Sequence, residues 1–379
     1  MNRADRSGFA AWWFTVDRVA LGAMLALLGI GLLMAFAASP AISGGPASAG
    51  DFRYALRQLS YAVMAVGIVA GTSMLSLRQI KILGAVVFAL ALIGSFLVLL
   101  VGDEMLGARR QLNLGLFNLQ PSEFLKPSFA ILAAAVLADT GKLPMPRPVL
   151  TFALLMPALV ILLLQPDVGQ TGLLLCLWGA MLFFWGLSLI WVGAMAAVAC
   201  GLAGAAYMIF PHVHNRVNQY LGHSETGYQA GLALKAFAHG GLTGVGPGAG
   251  TVKYRIPDVH SDFIFAVAGE EFGFLLCGVI AATFCLLTVR LLLRSAAARD
   301  PFAQLAGAGL ALVTAVQAFI NMGVAVSLLP AKGMTLPFIS YGGSSLFAVA
   351  VTMGFALAVT RQRPKVHTRD DPSFFMVRA

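Results

Sequence analysis

The sequence predicts an all-α polytopic membrane protein of about ten transmembrane helices, with both termini on the cytoplasmic side. Three observations lead there. Of 379 residues, 59% are hydrophobic and 11% charged, with a mean hydropathy of +0.84, a composition suited to lipid rather than water. Ten apolar runs follow one another along the chain, each near the roughly 20 residues that one bilayer crossing needs. The Lys and Arg residues between those runs divide unevenly between the two sides that alternate crossings define. Ten crossings use roughly 200 residues. What is left is divided among the connections and tails, and the longest polar stretch, 211–262, is well short of the roughly 100 residues of a separate soluble catalytic domain, so any chemistry has to come from helix ends and short connections. The chain therefore reads as one membrane domain, 1–379.

Arg3 and Arg6 precede the first run, Val19 to Ala38. A signal peptide has an apolar core of roughly 7–15 residues, and this run is longer, so it is read as an uncleaved first helix. Further runs lie near 58–76, 81–101, 121–138, 149–164, 170–186 and 188–210, and then near 263–289, 303–328 and 343–360. An even number of crossings puts both termini on one side. That side receives, among others, Arg18, Arg78, Lys81, Arg290, Arg294, Arg299, Arg361 and Arg363, whereas the opposite side holds fewer cations, chiefly Arg53, Arg57, Arg109, Arg110, Arg216, Lys235, Lys253, Arg255 and Lys332. The net charge of +9 is thus mainly a statement about orientation and not about nucleic acid. The four cysteines lie within apolar runs without close spacing and read as packing residues rather than a disulfide or zinc framework.

The longest polar stretch, 211–262, falls on the outer side between the seventh and eighth runs and holds five of the six histidines. Glu225 to Phe237 has helical apolar spacing, and the glycines from Gly240 to Gly250 break regular structure and suggest a mobile hinge. The charged segment 362–379 reads as a cytoplasmic tail.

Ionisable residues inside apolar runs are costly and mark function. Glu123 and Lys126 stand three apart in Gln120-Pro-Ser-Glu-Phe-Leu-Lys126, neighbours on one helix face. They read equally as a self-neutralising pair or as pocket lining. Arg109 and Arg110 suit a phosphorylated headgroup, or ordinary snorkelling. The glycine-rich stretch lacks the Gly-Lys-Ser/Thr of a phosphate loop, and His212 and His214 lack acidic or Cys companions at ligand spacing. Asp262 stands where the polar loop meets an apolar helix. It reads as an N-cap or as a half-buried carboxylate with a raised pKa, able to act as a base. Leu329 to Ser345 carries two prolines and three glycines, irregular backbone that belongs in a plain turn or beside a wet cavity to which Lys332 offers a cation.

Taken together, Gln120-Pro-Ser-Glu-Phe124, Tyr228-Gln229, Pro257-Asp-Val-His-Ser-Asp-Phe-Ile-Phe265 with Glu270-Glu271, and Pro330-Ala-Lys-Gly-Met-Thr-Leu-Pro-Phe-Ile-Ser-Tyr-Gly-Gly-Ser-Ser345 resemble the SEDS family of shape, elongation, division and sporulation proteins. The last motif is closer to the division branch than to the elongation branch. The resemblance implies a ten-helix inner-membrane peptidoglycan glycosyltransferase that polymerises lipid II at the periplasmic face of the septum. It also implies a class B penicillin-binding protein and other divisome membrane proteins as partners, undecaprenyl-linked glycan and membrane lipids as contacts, and no nucleic acid. The family's loop aspartate falls on Asp262 and its Glu-x-x-Lys pair on Glu123 and Lys126. Where the family commonly has Arg-Trp, Arg110 is followed by Gln111. Inverting transfer with a pyrophosphate leaving group wants a base, expected at Asp262, and cations, expected among Arg109, Lys126 and Lys332. No cofactor is dictated by the motifs; a divalent cation, Mg or Mn, held with the substrate pyrophosphate is compatible with them. The competing readings are a lipid II transporter, an elongation polymerase and a non-catalytic scaffold.

Overall fold

The computed structural model of the chain describes residues 8–42, 52–105, 108–113, 115, 118–209, 214, 218, 225–330 and 333–362. A short helix α1 (Gly8–Thr15) leads into α2 (Arg18–Ile42), α3 (Arg53–Ser73) and α4 (Leu77–Val101). Three short strands, β1 (Asp103–Met105), β2 (Ala108–Asn113) and β3 (Asn118–Leu119), follow before α5 (Ser122–Ala138), α6 (Arg147–Leu164), α7 (Val168–Trp185) and α8 (Leu189–Ile209). The chain then continues through α9 (Glu225–Gly240) and a 3-10 turn (Val252–Arg255) to α10 (Ile264–Ala296), α11 (Pro301–Ala325) and α12 (Gly343–Val359).

Seven of these helices (α2, α3, α4, α6, α7, α10 and α11) are long and apolar enough to cross a membrane. With α5, α8 and α12, which are apolar and of 17 to 21 residues, they make ten among the described residues, at the places the apolar runs predict. The chain is a multi-pass membrane protein. Its lipid face is explicit on α4, where Ile82, Val86, Leu90, Ile93, Leu97 and Leu100 are exposed at the three- and four-residue spacing of one helical stripe. By contrast α11 is mostly buried and forms the centre of the bundle.

Polar residues at the helix starts fix the boundaries. Ser76 and Gln79 form a reciprocal capping box on α4. The side chains of Asp17, Asp167 and Asp300 accept from the backbone N–H of Ala20, Gln170 and Phe302 at 3.0, 3.1 and 2.9 Å, on α2, α7 and α11 respectively. Lipid supplies no hydrophobic force between helices, so small residues set the close approaches. A Cβ on Gly354 of α12 would lie 1.7 Å from Thr72 Oγ1 of α3, and one on Gly31 of α2 would lie 2.2 Å from the Phe338 carbonyl oxygen.

Two features depart from the sequence reading. The all-α expectation missed the antiparallel β1–β2–β3 ribbon, which has turn residues and alternating side chains too short in span to register as strands. The glycine segment is not an open hinge. The helix α10 is broken at Gly273, where φ is +74° and ψ is −176°, and residues 241–246 fill the break. Phe274 and Leu275 N–H donate to the Gly241 and Leu242 carbonyls at 3.0 and 3.2 Å, while Val245 and Gly246 N–H donate to the Glu270 and Glu271 carbonyls, each at 3.0 Å. Backbone groups freed by a broken span must be paired internally, and the glycines let another backbone come close enough to do it. Glu270 accepts from Thr251, Val252 and Lys253 N–H at 2.7, 2.7 and 2.9 Å, and Glu271 pairs with the buried Lys253 ammonium at 2.5 Å. This double clamp fixes the start of the segment that leads to Asp262. The helical spacing of Glu225 to Phe237 is realised as α9. Most of 211–224, His212 included, and the tail beyond Gln362 lie outside the described residues.

Candidate active site

The turn Ile256–Asp262 lies against the segment 333–342, at the end of the bundle opposite the described termini. Tyr341 N–H donates to the His260 carbonyl at 2.9 Å and Ser340 Oγ to the Ser261 carbonyl at 2.5 Å. Asn321, on α11, donates from Nδ2 to the Asp262 carbonyl at 3.0 Å and to the Met334 carbonyl at 2.7 Å. One amide therefore ties the two loops together at Asp262. Asp258 holds φ at +49°, a left-handed value that Asp tolerates better than most side chains, and its carbonyl accepts from Asp262 N–H at 3.1 Å. The N-cap of α10 is Phe263, with no side-chain cap bond, so capping does not account for Asp262. Burial, followed by the nearby Asp258 carboxylate, pushes the Asp262 pKa up to about 6, against the opposing pull of the Ser261 hydroxyl and Arg110.

The cation that faces Asp262 is Arg110. A Cβ placed on Gly333, which holds φ at +63°, would lie 3.7 Å from Arg110 Nη1 and 3.8 Å from Asp262 Oδ2. Carboxylate and guanidinium thus flank one small gap that only glycine leaves open. The guanidinium is aimed by two backbone carbonyls, Pro166 (Nη2, 2.8 Å) and Gln165 (Nε, 3.4 Å). Next in the chain, Asp167 is buried; burial raises its pKa, with Arg110 and the Gln170 N–H pulling the other way. Arg110 therefore stands between two carboxylates.

The geometry brings Arg110, and not Arg109, beside Asp262. Successive strand residues point to opposite faces; on β2 the side chain of Arg109 is exposed, its backbone paired with Glu104, while Arg110 turns toward Asp262. Glu123 and Lys126 do form the i,i+3 pair, at 2.7 Å, but both are buried. Lys126 Nζ also donates to Gln317 Oε1 at 2.8 Å, and Gln170 Nε2 donates to the free oxygen of Glu123. Gln317 in turn donates to the Thr335 carbonyl at 3.1 Å. The pair thus bridges α5, α7, α11 and the 333–342 segment, the arrangement of the self-neutralising reading, and in this geometry it presents no open charged edge for substrate. Lys332 lies outside the described residues, next to Gly333.

The sequence reading passed over Asp167, Gln170, Gln317, Asn321 and Gly333. Gln317 and Asn321 carried a readable signal, since two amides at i,i+4 within an apolar run share one face and are costly in lipid. Asp167 sits in the Gln-Pro-Asp break between two apolar runs, where it looks like any helix cap.

The family comparison now falls on this framework. Residues 18–365 match the FtsW/RodA/SpoVE model, described as cell cycle protein. The chain belongs to that family. It is 39% identical over 364 residues, covering 96% of this chain and 93% of the relative, to a probable peptidoglycan glycosyltransferase FtsW of Caulobacter vibrioides. A second relative with the same description, from Alkalilimnicola ehrlichii, is 36% identical over 93% of this chain and 91% of its own. Among solved structures, one determined for the structural coordination of polymerization and crosslinking by a peptidoglycan synthase complex superposes with a TM-score of 0.78 at 27% identity, covering 92% of this chain and 98% of that one. The rod shape determining protein RodA of Thermus thermophilus superposes at 0.68, with 26% identity over 92% of this chain and 97% of its own.

Proposed function

We propose that this chain is a peptidoglycan glycosyltransferase that polymerises lipid II at the periplasmic face of the plasma (inner) membrane during septal wall synthesis. The relatives named above as FtsW support the activity and the division role, and the greater share of Lys and Arg on the side of the termini supports an outward-facing Asp262. In the reaction, the 4-hydroxyl of the sugar on an incoming lipid II attacks the anomeric carbon of a donor glycan. The new glycosidic bond forms as the bond to undecaprenyl pyrophosphate breaks, with inversion. Asp262 takes the hydroxyl proton, a task that suits a carboxylate poised near pH 6 in a half-buried site. Arg110, held by the 165–166 carbonyls, faces the charge that accumulates on the departing pyrophosphate, with Lys332 a second candidate cation. Glu123, Lys126, Gln317 and Asn321 position the loops, and Arg109 contacts the headgroup region. The observation that carries this reading is the gap at Gly333 flanked by Asp262 and Arg110.

Among the described residues no three His, Cys, Asp or Glu side chains cluster in a way that could hold a metal ion, so a Mg or Mn ion at this site would draw most of its ligands from the substrate pyrophosphate. A class B penicillin-binding protein is the proposed partner, in keeping with a superposed structure that belongs to a synthase complex. Against a transporter, the break in α10 is filled by the chain's own backbone and offers no mid-membrane site of the kind such breaks build in transporters. The test is Asp262→Asn, which keeps the size and local hydrogen-bonding shape but cannot take the proton. Loss of polymer from lipid II with folding retained supports the assignment, and normal polymerisation refutes it.

A further inference from the structure

At the end of the bundle that carries the described termini, remote from Asp262, a cavity of about 490 Å³ opens between the last turns of α10 and α12 and the first turns of α4 and α11. Three arginines line it, Arg294, Arg299 and Arg361. The acidic residue on the rim, Asp300, is already engaged, its Oδ1 accepting from Phe302 N–H at 2.9 Å as the cap of α11. Arg294 is anchored by Asp17, which also holds Arg290 at 2.9 Å. Arg361 leans on the Met74 carbonyl at 3.5 Å. The starts of α4 and α11 add the positive ends of two helix dipoles. Beside these cations the lining mixes apolar Leu77 and Val359 with polar Thr360 and Gln362.

The cavity thus combines cationic and apolar lining. It also lies at the ends of four membrane-spanning helices, the depth at which lipid phosphates sit. Arginine is the side chain best matched to phosphate oxygens. We infer that this cavity binds the phosphate of an anionic phospholipid headgroup, drawn from the leaflet on the side of the termini, with the glycerol and upper acyl carbons against the apolar part of the lining. The turn that joins α10 to α11 forms one rim of the cavity, and α11 carries Asn321 and Gln317 to the loops at the far end. A bound headgroup would therefore brace the helix on which those loops hang. The inference does not depend on the glycosyltransferase reading, since it concerns binding alone.

The test uses the full-length chain in nanodiscs of phosphatidylcholine with and without phosphatidylglycerol, reading retained lipid by native mass spectrometry and thermal stability in parallel. Wild-type protein is expected to retain phosphatidylglycerol in preference to phosphatidylcholine and to be stabilised by it. The variant R299Q/R361Q should lose that preference by about fivefold for each arginine removed. Ala297→Leu, which narrows the cavity at an exposed position without changing charge, should weaken retention too, and it tests the site should the double variant fail to fold. R78Q removes a cation from the same end that does not line the cavity, and should keep the preference. Equal loss in R78Q would mean diffuse attraction and overturn the site, as would unchanged retention in both cavity variants. Stabilisation of the detergent-purified chain by inorganic phosphate alone, with no preference among lipids, would overturn the lipid as its source.

Discussion

If Asp262 is the base, the rate of polymerisation must follow the ionisation of that one carboxyl. The active form is the carboxylate, so kcat rises with pH and reaches its plateau above the pKa. Burial and the Asp258 carboxylate lift that pKa from the ordinary 3.8 to about 6. At pH 5 only about a tenth of the sites would be ionised, and kcat should be about tenfold below its plateau; an unshifted carboxyl would be more than about nine-tenths ionised there and would show no loss. The causes can be separated by sign. Asp258→Asn removes a like charge that raises the pKa and should move the acid limb to lower pH. Arg110→Gln removes an opposite charge that lowers it and should move the limb to higher pH, whatever it does to the plateau. The assay is single-turnover or steady-state glycan synthesis from lipid II across pH 4.5–8, with folding checked at each end. A limb centred below about 4.5, or one that moves the same way in both variants, would refute the electrostatic reasoning.

Other outcomes follow from the packing. Glu123→Gln leaves the Lys126 ammonium buried without its carboxylate, and should cost about 3–5 kcal/mol of stability, read as a fall in Tm in detergent; the charge-swapped double variant should recover much of it once the amides of Gln170 and Gln317 turn over. Gly333→Ala inserts a methyl between Arg110 and Asp262 at a left-handed φ of +63°; kcat should fall about tenfold or more, while stability falls by only about 1–2 kcal/mol, and a variant with normal kcat would remove the gap from the mechanism. Gly354→Ala drives a methyl into Thr72 and should destabilise the α3–α12 contact by about 1–3 kcal/mol, with part of the loss relieved by adding Thr72→Ala.

The membrane frame is legible because its physics is local: an apolar run of the right length is a span wherever it lies, and all ten runs became helices. Asp262 is legible for a similar reason, as a carboxylate at the mouth of an apolar helix. What the sequence hides depends on pairing across the fold. Whether Arg109 or Arg110 faces the carboxylate is set by the alternation of a six-residue strand that leaves no periodic trace in so short a segment. Glu123 and Lys126 suggest an ion pair from spacing alone, but their burial, and the amides of Gln170 and Gln317 that complete it, come from two other helices. The glycines at 240–250 look like freedom in sequence, whereas in the fold they are close-packed against a broken helix, because what they supply is room for a second backbone. Gly333 is of the same kind, significant only because two charged side chains from distant segments meet beside it.

The central claim is that the carboxylate of Asp262 performs the proton transfer in glycan polymerisation. Its most direct test is the formation of polymer from lipid II by the purified chain with a class B penicillin-binding protein, comparing wild type with Asp262→Asn at pH 7.5 after both are shown to fold and to bind each other. The account predicts glycan strands from the wild type and none above background from the variant. Strands of normal length and yield from Asp262→Asn would contradict it.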